Sequence, residues 1–352
     1  MTMLADQVDL VIGVDTHKLT NTAAVVRAAT GGVLADVTAP TTQDGHEAIF
    51  EMAVSHGGFR AWAIEGANSY GAGLTRFLHE RGEWVIELDR PNRTARRGGK
   101  KSDPLDAVRS AREALARPEL GEPRSMGDRA ALGVLLAARR SAVDARTTAQ
   151  RQIHALLISA PEALRTKFRG KTGRQIVLGV VRLRVSAHHD TETKTMIGVL
   201  RSLGRRILDL ETETKEYERQ LTEIVRSWRP ELLEECGVGP VVAATVLCAW
   251  SHQGRFRSDG AFASLAGVSP IPASSGMTVR HRLNRRGDRQ LNRVLHVVVI
   301  NRIRHDKATQ TYVERRRAEG KTDREIKRCL KRYVARQLFR QLEGGPSRLD
   351  EL

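Results

Sequence analysis

Asp9-Leu-Val-Ile-Gly-Val-Asp15 is a short apolar run closed by a carboxylate, and its neighbours decide what it can be. Ala23-Ala-Val-Val-Arg27 and Gly32-Val-Leu-Ala-Asp-Val37 follow as antiparallel partners, separated by a Gly31-Gly32 turn. Thr41 to Ser55 reads as a helix, Arg60-Ala-Trp-Ala-Ile-Glu65 as another buried strand, Gly71 to Arg81 as a helix and Trp84-Val-Ile-Glu-Leu88 as a strand. From Ser102 the pattern turns helical again, with Ser102 as candidate N-cap and Pro104 in the first turn. Three strands in a meander, then alternating helices and strands, imply an α/β sheet with helices on its faces, over residues 8–125.

The pattern then changes. Residues 126–230 read as helical and basic, with one long helix from Met126 to Ser159 stopped by Pro161. Leu200, Leu203, Ile207, Leu210, Thr214, Tyr217, Leu221 and Ile224 alternate at spacings of three and four, the pattern of a coiled coil. That stripe predicts either dimerisation or an amphipathic helix packed inside its own subunit. Residues 231–342 read as mainly α. Leu232-Leu-Glu-Glu-Cys-Gly237-Val-Gly239-Pro-Val-Val-Ala243 looks like a helix-hairpin-helix, whose Gly237 and Gly239 would expose backbone N–H groups to a phosphate. The same glycines also suit a turn that only packs. Residues 343–352 form a frayed tail.

Charge narrows the partner. A net charge of +17 over 352 residues favours a polyanion, because each Lys or Arg near a phosphate releases counterions. Aromatic residues at 4% leave little for stacking on single-stranded bases. There is no leader-like segment and no apolar run of about 20 residues, so a cytoplasmic protein is expected. Cys236, Cys248 and Cys329 are too dispersed for a zinc knuckle and read as reduced core thiols; the histidines include no HExxH, and no zinc is implied.

Four carboxylates carry the chemistry. Asp15 and Glu65 close two strands, and Asp103 and Asp106, three residues apart, share one face of a helix start. Converging, they would repel unless cations neutralised them. Two Mg²⁺ ions about 4 Å apart would do so and hold a phosphodiester for in-line attack. Singly, each acid has a plainer use as a turn residue or a helix-dipole partner. Their order fits the RNase H-like fold.

Ile12-Gly-Val-Asp15-Thr-His-Lys18, Ile64-Glu65 with Gly66 to Tyr70, and Lys101-Ser-Asp103-Pro-Leu-Asp106-Ala resemble the DEDD signature of Piv-like insertion-sequence transposases, the bridge-RNA-guided recombinases. The likeness extends to Phe262-Ala-Ser-Leu-Ala-Gly267-Val-Ser-Pro270 and Ser274-Ser275-Gly276, and departs at Gly66-Ala67-Asn68, where the family more often has an Ala-Thr-Gly-like run. It implies a RuvC-like N-terminal domain, a C-terminal transposase domain, and Ser275 as nucleophile with Ser274 the runner-up. Arg280, Arg282, Arg285, Arg286, Arg289 and Arg293 follow closely and could clamp phosphates. No His–Asp pair lies near Ser275 in sequence, which points to the carboxylate site for its activation. The resemblance further implies double-stranded DNA as substrate, a structured guide RNA, a homodimer or tetramer, and a bacterial, nucleoid-associated setting. Two other readings stay open: a junction resolvase or RNase H-type nuclease that hydrolyses with water and needs no Ser275, and a nucleic-acid-binding scaffold whose acids are structural.

Overall fold

A computed structural model describes residues 3–88, 103–272, 281–282, 284 and 287–344. Residues Met1–Met126 and Gly127–Leu352 form two compact units.

The first unit is built on five strands. The apolar run forms β1 (Leu10–Thr16), followed by β2 (Thr20–Arg27) and β3 (Val33–Pro40), then α1 (Gln43–Val54), β4 (Arg60–Glu65), α2 (Ala72–Glu80), β5 (Trp84–Leu88) and α3 (Asp103–Ala116). Their order in the sheet is β3-β2-β1-β4-β5. The meander β1-β2-β3 is antiparallel, while β4 runs parallel to both β1 and β5. Every expected strand and helix of this region is present within a few residues of its expected bounds. Ser102, the expected cap of α3, lies outside the described residues.

Side-chain alternation splits the core in two. Ile12, Val14, Trp62 and Ile64 pack with α1 and α2 on one face, and Val11, Ala61, Ala63 and Ile86 pack with α3 on the other. Gly13 lies on the α3 side, in line with Val11 and Asp15. A Cβ there would stand 2.0 Å from the Ala107 carbonyl oxygen and 2.6 Å from the Ala111 nitrogen. Only glycine lets the helix backbone rest directly on the strand. The small residues Ala107, Ala111 and Ala114, all fully buried, serve the same close approach from α3.

The second unit is helical. Two long helices, α4 (Asp128–Ser159) and α7 (Thr191–Trp228), run antiparallel. Leu132 near the start of α4 shares a core with Leu221 and Val225 near the end of α7, and Arg139 pairs with Glu218 at 2.6 Å. Between them α5 (Glu162–Phe168) and α6 (Gly173–Val181) close one end of the pair over Ile153, Leu157, Val180, Leu200 and Ile207. At the other end stand α8 (Pro240–Trp250), α9 (Asp259–Leu265), the strands β6 (Ile271–Pro272) and β7 (His281–Arg282), α10 (Arg289–His305), α11 (Lys307–Ala318) and α12 (Asp323–Leu342).

The heptad stripe therefore has a partner inside the chain. Leu200, Ile207, Thr214 and Leu221 are buried, while Leu203, Leu210, Tyr217 and Ile224 are half-buried. Of the two expectations for this stripe, packing inside the subunit accounts for its period without a second copy. The helix expected before Gly237 is a 3-10 turn, Pro230–Glu234. The reason is Pro230, which breaks the chain away from α7 and leaves too few residues for an α-helix before the glycine turn. The cysteines form no disulfide; Cys248 and Cys329 are half-buried and pack against the core of this unit, whereas Cys236, expected in the core as well, is exposed. No helix among the described residues is long and apolar enough to cross a membrane.

Gly13→Ala should lower stability by about 1–3 kcal/mol, the usual cost of overpacking a close contact. Denaturant unfolding of the full chain measures it. An unchanged midpoint would mean that α3 does not rest on β1.

Candidate metal centre

Strand alternation and the Gly13 contact together bring the acids to one place. Asp15, two residues beyond Gly13 on the same face, points toward the start of α3. Glu65 falls on that same face of β4, one residue beyond the Val14–Ile64 register pair, so it stands beside Asp15 at the sheet's end. The Thr16 hydroxyl donates to the Glu65 carbonyl oxygen at 2.8 Å and ties the two strand ends together. Gly66, with φ +70°, turns the chain away immediately afterwards.

Asp15, His17 and Asp103 are gathered. His17 Nε2 lies 3.2 Å from Asp15 Oδ2 and 3.7 Å from Asp103 Oδ1, and one ligand atom from each residue falls within 4.8 Å of the others. Glu65 is not part of this trio. The Asp106 carboxylate is directed to Arg109, which donates to it at 2.8 Å. Asp15 is the least exposed of these acids, at 14% of its side chain, against 46% for Asp103 and 30% for Asp106.

The trio fits a divalent cation. Atoms ligating one ion at about 2.1 Å stand roughly 3 Å apart when adjacent and about 4 Å apart when opposite. The two separations from His17, 3.2 and 3.7 Å, fall in that range. Carboxylate oxygens suit Mg²⁺ or Mn²⁺, and Mg²⁺ needs only one or two of them because it keeps several waters. His17 was within the quoted motif but was not singled out by sequence reasoning, which tested histidines against a helical HExxH frame. The available signal was spacing: two residues past Asp15 at a strand end returns a side chain to the same side.

The remaining expected site residues belong to the second unit. Ser275, its alternative Ser274, and Arg280, Arg285 and Arg286 lie outside the described residues. Around them, β6 and β7 pair antiparallel through Ile271–Arg282 and Pro272–His281, so the segment carrying Ser275 is joined at its base. That base is anchored. Asp288 N donates to the Leu265 carbonyl at 2.7 Å, Asn292 Nδ2 to that of Ala266 at 2.7 Å, and Arg332 Nη1 to the Ser269 hydroxyl at 2.9 Å. Arg289 and Arg293, four residues apart, are exposed on one side of α10. Gly237, with φ +82°, is held for packing: a Cβ would stand 3.1 Å from the Val298 carbonyl oxygen and 3.1 Å from Asn301 Cβ. The buried Arg302 donates to the Cys236 carbonyl at 2.9 Å and to Glu235 at 3.0 Å, fixing that turn. Gly239 has open space around it at the start of α8.

Two family profiles and two insertion-element proteins match the chain. A profile of IS110-type DEDD transposases matches residues 12–160, and the profile described as "Transposase IS116/IS110/IS902 family" matches residues 230–314. The chain is 27% identical to the "Insertion element IS900 uncharacterized 42 kDa protein" of Mycobacterium paratuberculosis, over 76% of this chain and 79% of that one. It is 30% identical to the "Insertion element IS110 uncharacterized 43.6 kDa protein" of Streptomyces coelicolor, over 44% of this chain and 38% of that one.

His17→Ala should weaken Mn²⁺ binding by about 10- to 100-fold, whether His17 ligates the ion or orients a carboxylate that does. The readout is the Mn²⁺-dependent rise in the thermal unfolding midpoint. A rise identical to that of the unaltered chain would make His17 a bystander.

Proposed function

The chain belongs to the IS116/IS110/IS902 family of transposases, and on that premise we propose that it cleaves and rejoins the DNA strands of a mobile element through Ser275 and a Mg²⁺-dependent carboxylate site. The observation that carries the reading is the meeting of Asp15 with Asp103, from the end of β1 and the start of α3. Asp15 and Asp103 would hold the cation, with Glu65 and Asp106 at hand to complete its shell, and the cation would supply Lewis acidity and charge neutralisation at phosphate. The sheet order β3-β2-β1-β4-β5, with its antiparallel meander and parallel second half, supports an RNase H-like, RuvC-like class for this unit.

In the covalent step, the Ser275 oxygen forms a bond to phosphorus while the P–O bond to the departing deoxyribose breaks. The serine proton leaves to a base, and the departing oxygen ends as a free hydroxyl. Because phosphoserine keeps the phosphodiester's energy, the reverse attack by another strand's hydroxyl rejoins DNA without ATP. Arg289 and Arg293 on α10, with Arg280, Arg282, Arg285 and Arg286 before them in sequence, supply positive charge for the crowded phosphorus. The double-stranded element ends and target are the substrates. A structured guide RNA fits the basic charge and the family resemblance, and handling two DNA partners favours a homodimer or tetramer.

Ser275→Ala should abolish the covalent protein–DNA adduct on denaturing gels with the element's ends, Mg²⁺ and the flanking non-coding RNA. DNA binding should survive. Nicked DNA without an adduct, unaffected by Ser275→Ala, would instead establish a metal-dependent hydrolytic nuclease.

A further inference from the structure

Positive charge is not spread evenly over this chain. Residues 151–206 hold twelve Lys and Arg against three Asp and Glu, a surplus of +9 within the chain's +17. The same stretch folds on its own hydrophobic cluster at one end of the α4–α7 pair, where Ile153, Phe168, Val180 and Leu200 meet. Most of it lies outside both family profiles, which stop at residue 160 and resume at 230.

Within this lobe the arginines fall into two kinds. Arg165 and Arg169 are committed to Glu162, and Arg174 to Glu211. Arg201, Arg205 and Arg206 make no ion pair among the described residues. They line one side of α7 with Gly198, Ser202 and Asp209 around a groove of about 400 Å³. Gly198 contributes no side chain, so the helix surface dips between the guanidinium stems. Arg201 Nε is sheltered and has no hydrogen-bond partner among the described residues, a donor left over. Farther along α7 the balance reverses, and Arg219 is held between Glu216 and Glu223. The helix is thus basic and unpaired at one end, acidic and paired at the other.

We propose that the groove formed by Arg201, Arg205 and Arg206 on α7 grips the phosphate backbone of duplex DNA outside the reacting strands. The inference rests on the DNA-processing reading above. Phosphates satisfy three planar guanidiniums in a way that water does not, through paired N–H···O bonds and release of counterions. A duplex fits better than a single strand because Phe168, which is buried, is the only Phe, Tyr or Trp in residues 151–206, which removes base stacking. Such contacts set register and orientation and carry no sequence information.

The test is fluorescence anisotropy with the full chain and a duplex of arbitrary sequence over a salt series. Arg201→Gln/Arg205→Gln/Arg206→Gln should lower affinity at about 0.15 M salt by on the order of 10- to 100-fold, equally for two unrelated sequences. The slope of log K against log salt should become shallower by roughly two to three. Arg205→Gln/Arg206→Gln, both fully surface positions, should show the larger part of the effect with an unchanged unfolding midpoint, which separates binding from folding. Arg165→Gln/Arg169→Gln, with its arginines already paired, should shift affinity much less. An equal loss in that control, or no change in affinity and slope in the triple variant, overturns the groove. A larger loss for an RNA duplex than for DNA overturns DNA as its occupant. The readout is equilibrium binding, so a chain that binds duplex through these arginines yet forms no adduct would remove the serine reading and leave this one standing.

Discussion

The contact on which the candidate metal centre depends is the one between Gly13 and the backbone of α3. A helix normally stands off a sheet by the depth of its side chains. Here one missing Cβ and a row of alanines remove that spacing, with Ala107 O and Ala111 N where a Cβ of residue 13 would have to be. The consequence is positional. Asp103, in the first turn of α3, comes down to Asp15, which leaves β1 two residues after the glycine. Two neighbouring carboxylates repel each other, and holding them together costs stability that a bound cation would return.

The second unit answers a different demand. Its antiparallel pair α4–α7 spans two hydrophobic clusters, one under α5 and α6, the other under α8 to α12. The residues flanking Ser275 belong to the second cluster's end, where Asp288, Asn292 and Arg332 hold the chain at Leu265, Ala266 and Ser269, just before β6. The basic groove lies at the first cluster's end. The antiparallel pair therefore separates the residues that flank Ser275 from the basic groove.

Much of the first unit was legible because its signals are local. Apolar runs such as Leu10–Val14 and Ala61–Ile64 can hardly be anything but buried strands, and Pro104 after an acidic residue marks a helix start. The α7 stripe was legible as a period but not as a partner, since a three-four spacing looks the same whether it meets α4 or a second copy. His17 stands two residues from Asp15 in one motif, but only tertiary packing brings Asp103 to it, and that is what sets it apart from a turn histidine. The two-residue strands β6 and β7 carry no alternation to read. Nor does spacing reveal that Asp106 turns to Arg109, a choice made by side-chain geometry alone.

The central claim is that β1 and α3 hold one divalent cation between them, and a double-mutant cycle on Mn²⁺ affinity tests it most directly. Calorimetric titration of the full chain would compare Asp15→Asn, Asp103→Asn and the two combined. If both carboxylates ligate the same ion, each single change should weaken binding by about tenfold or more and the double change should add little, the non-additivity of groups that act together. Single changes that leave Mn²⁺ binding intact, or two losses that simply add as for independent sites, would contradict it.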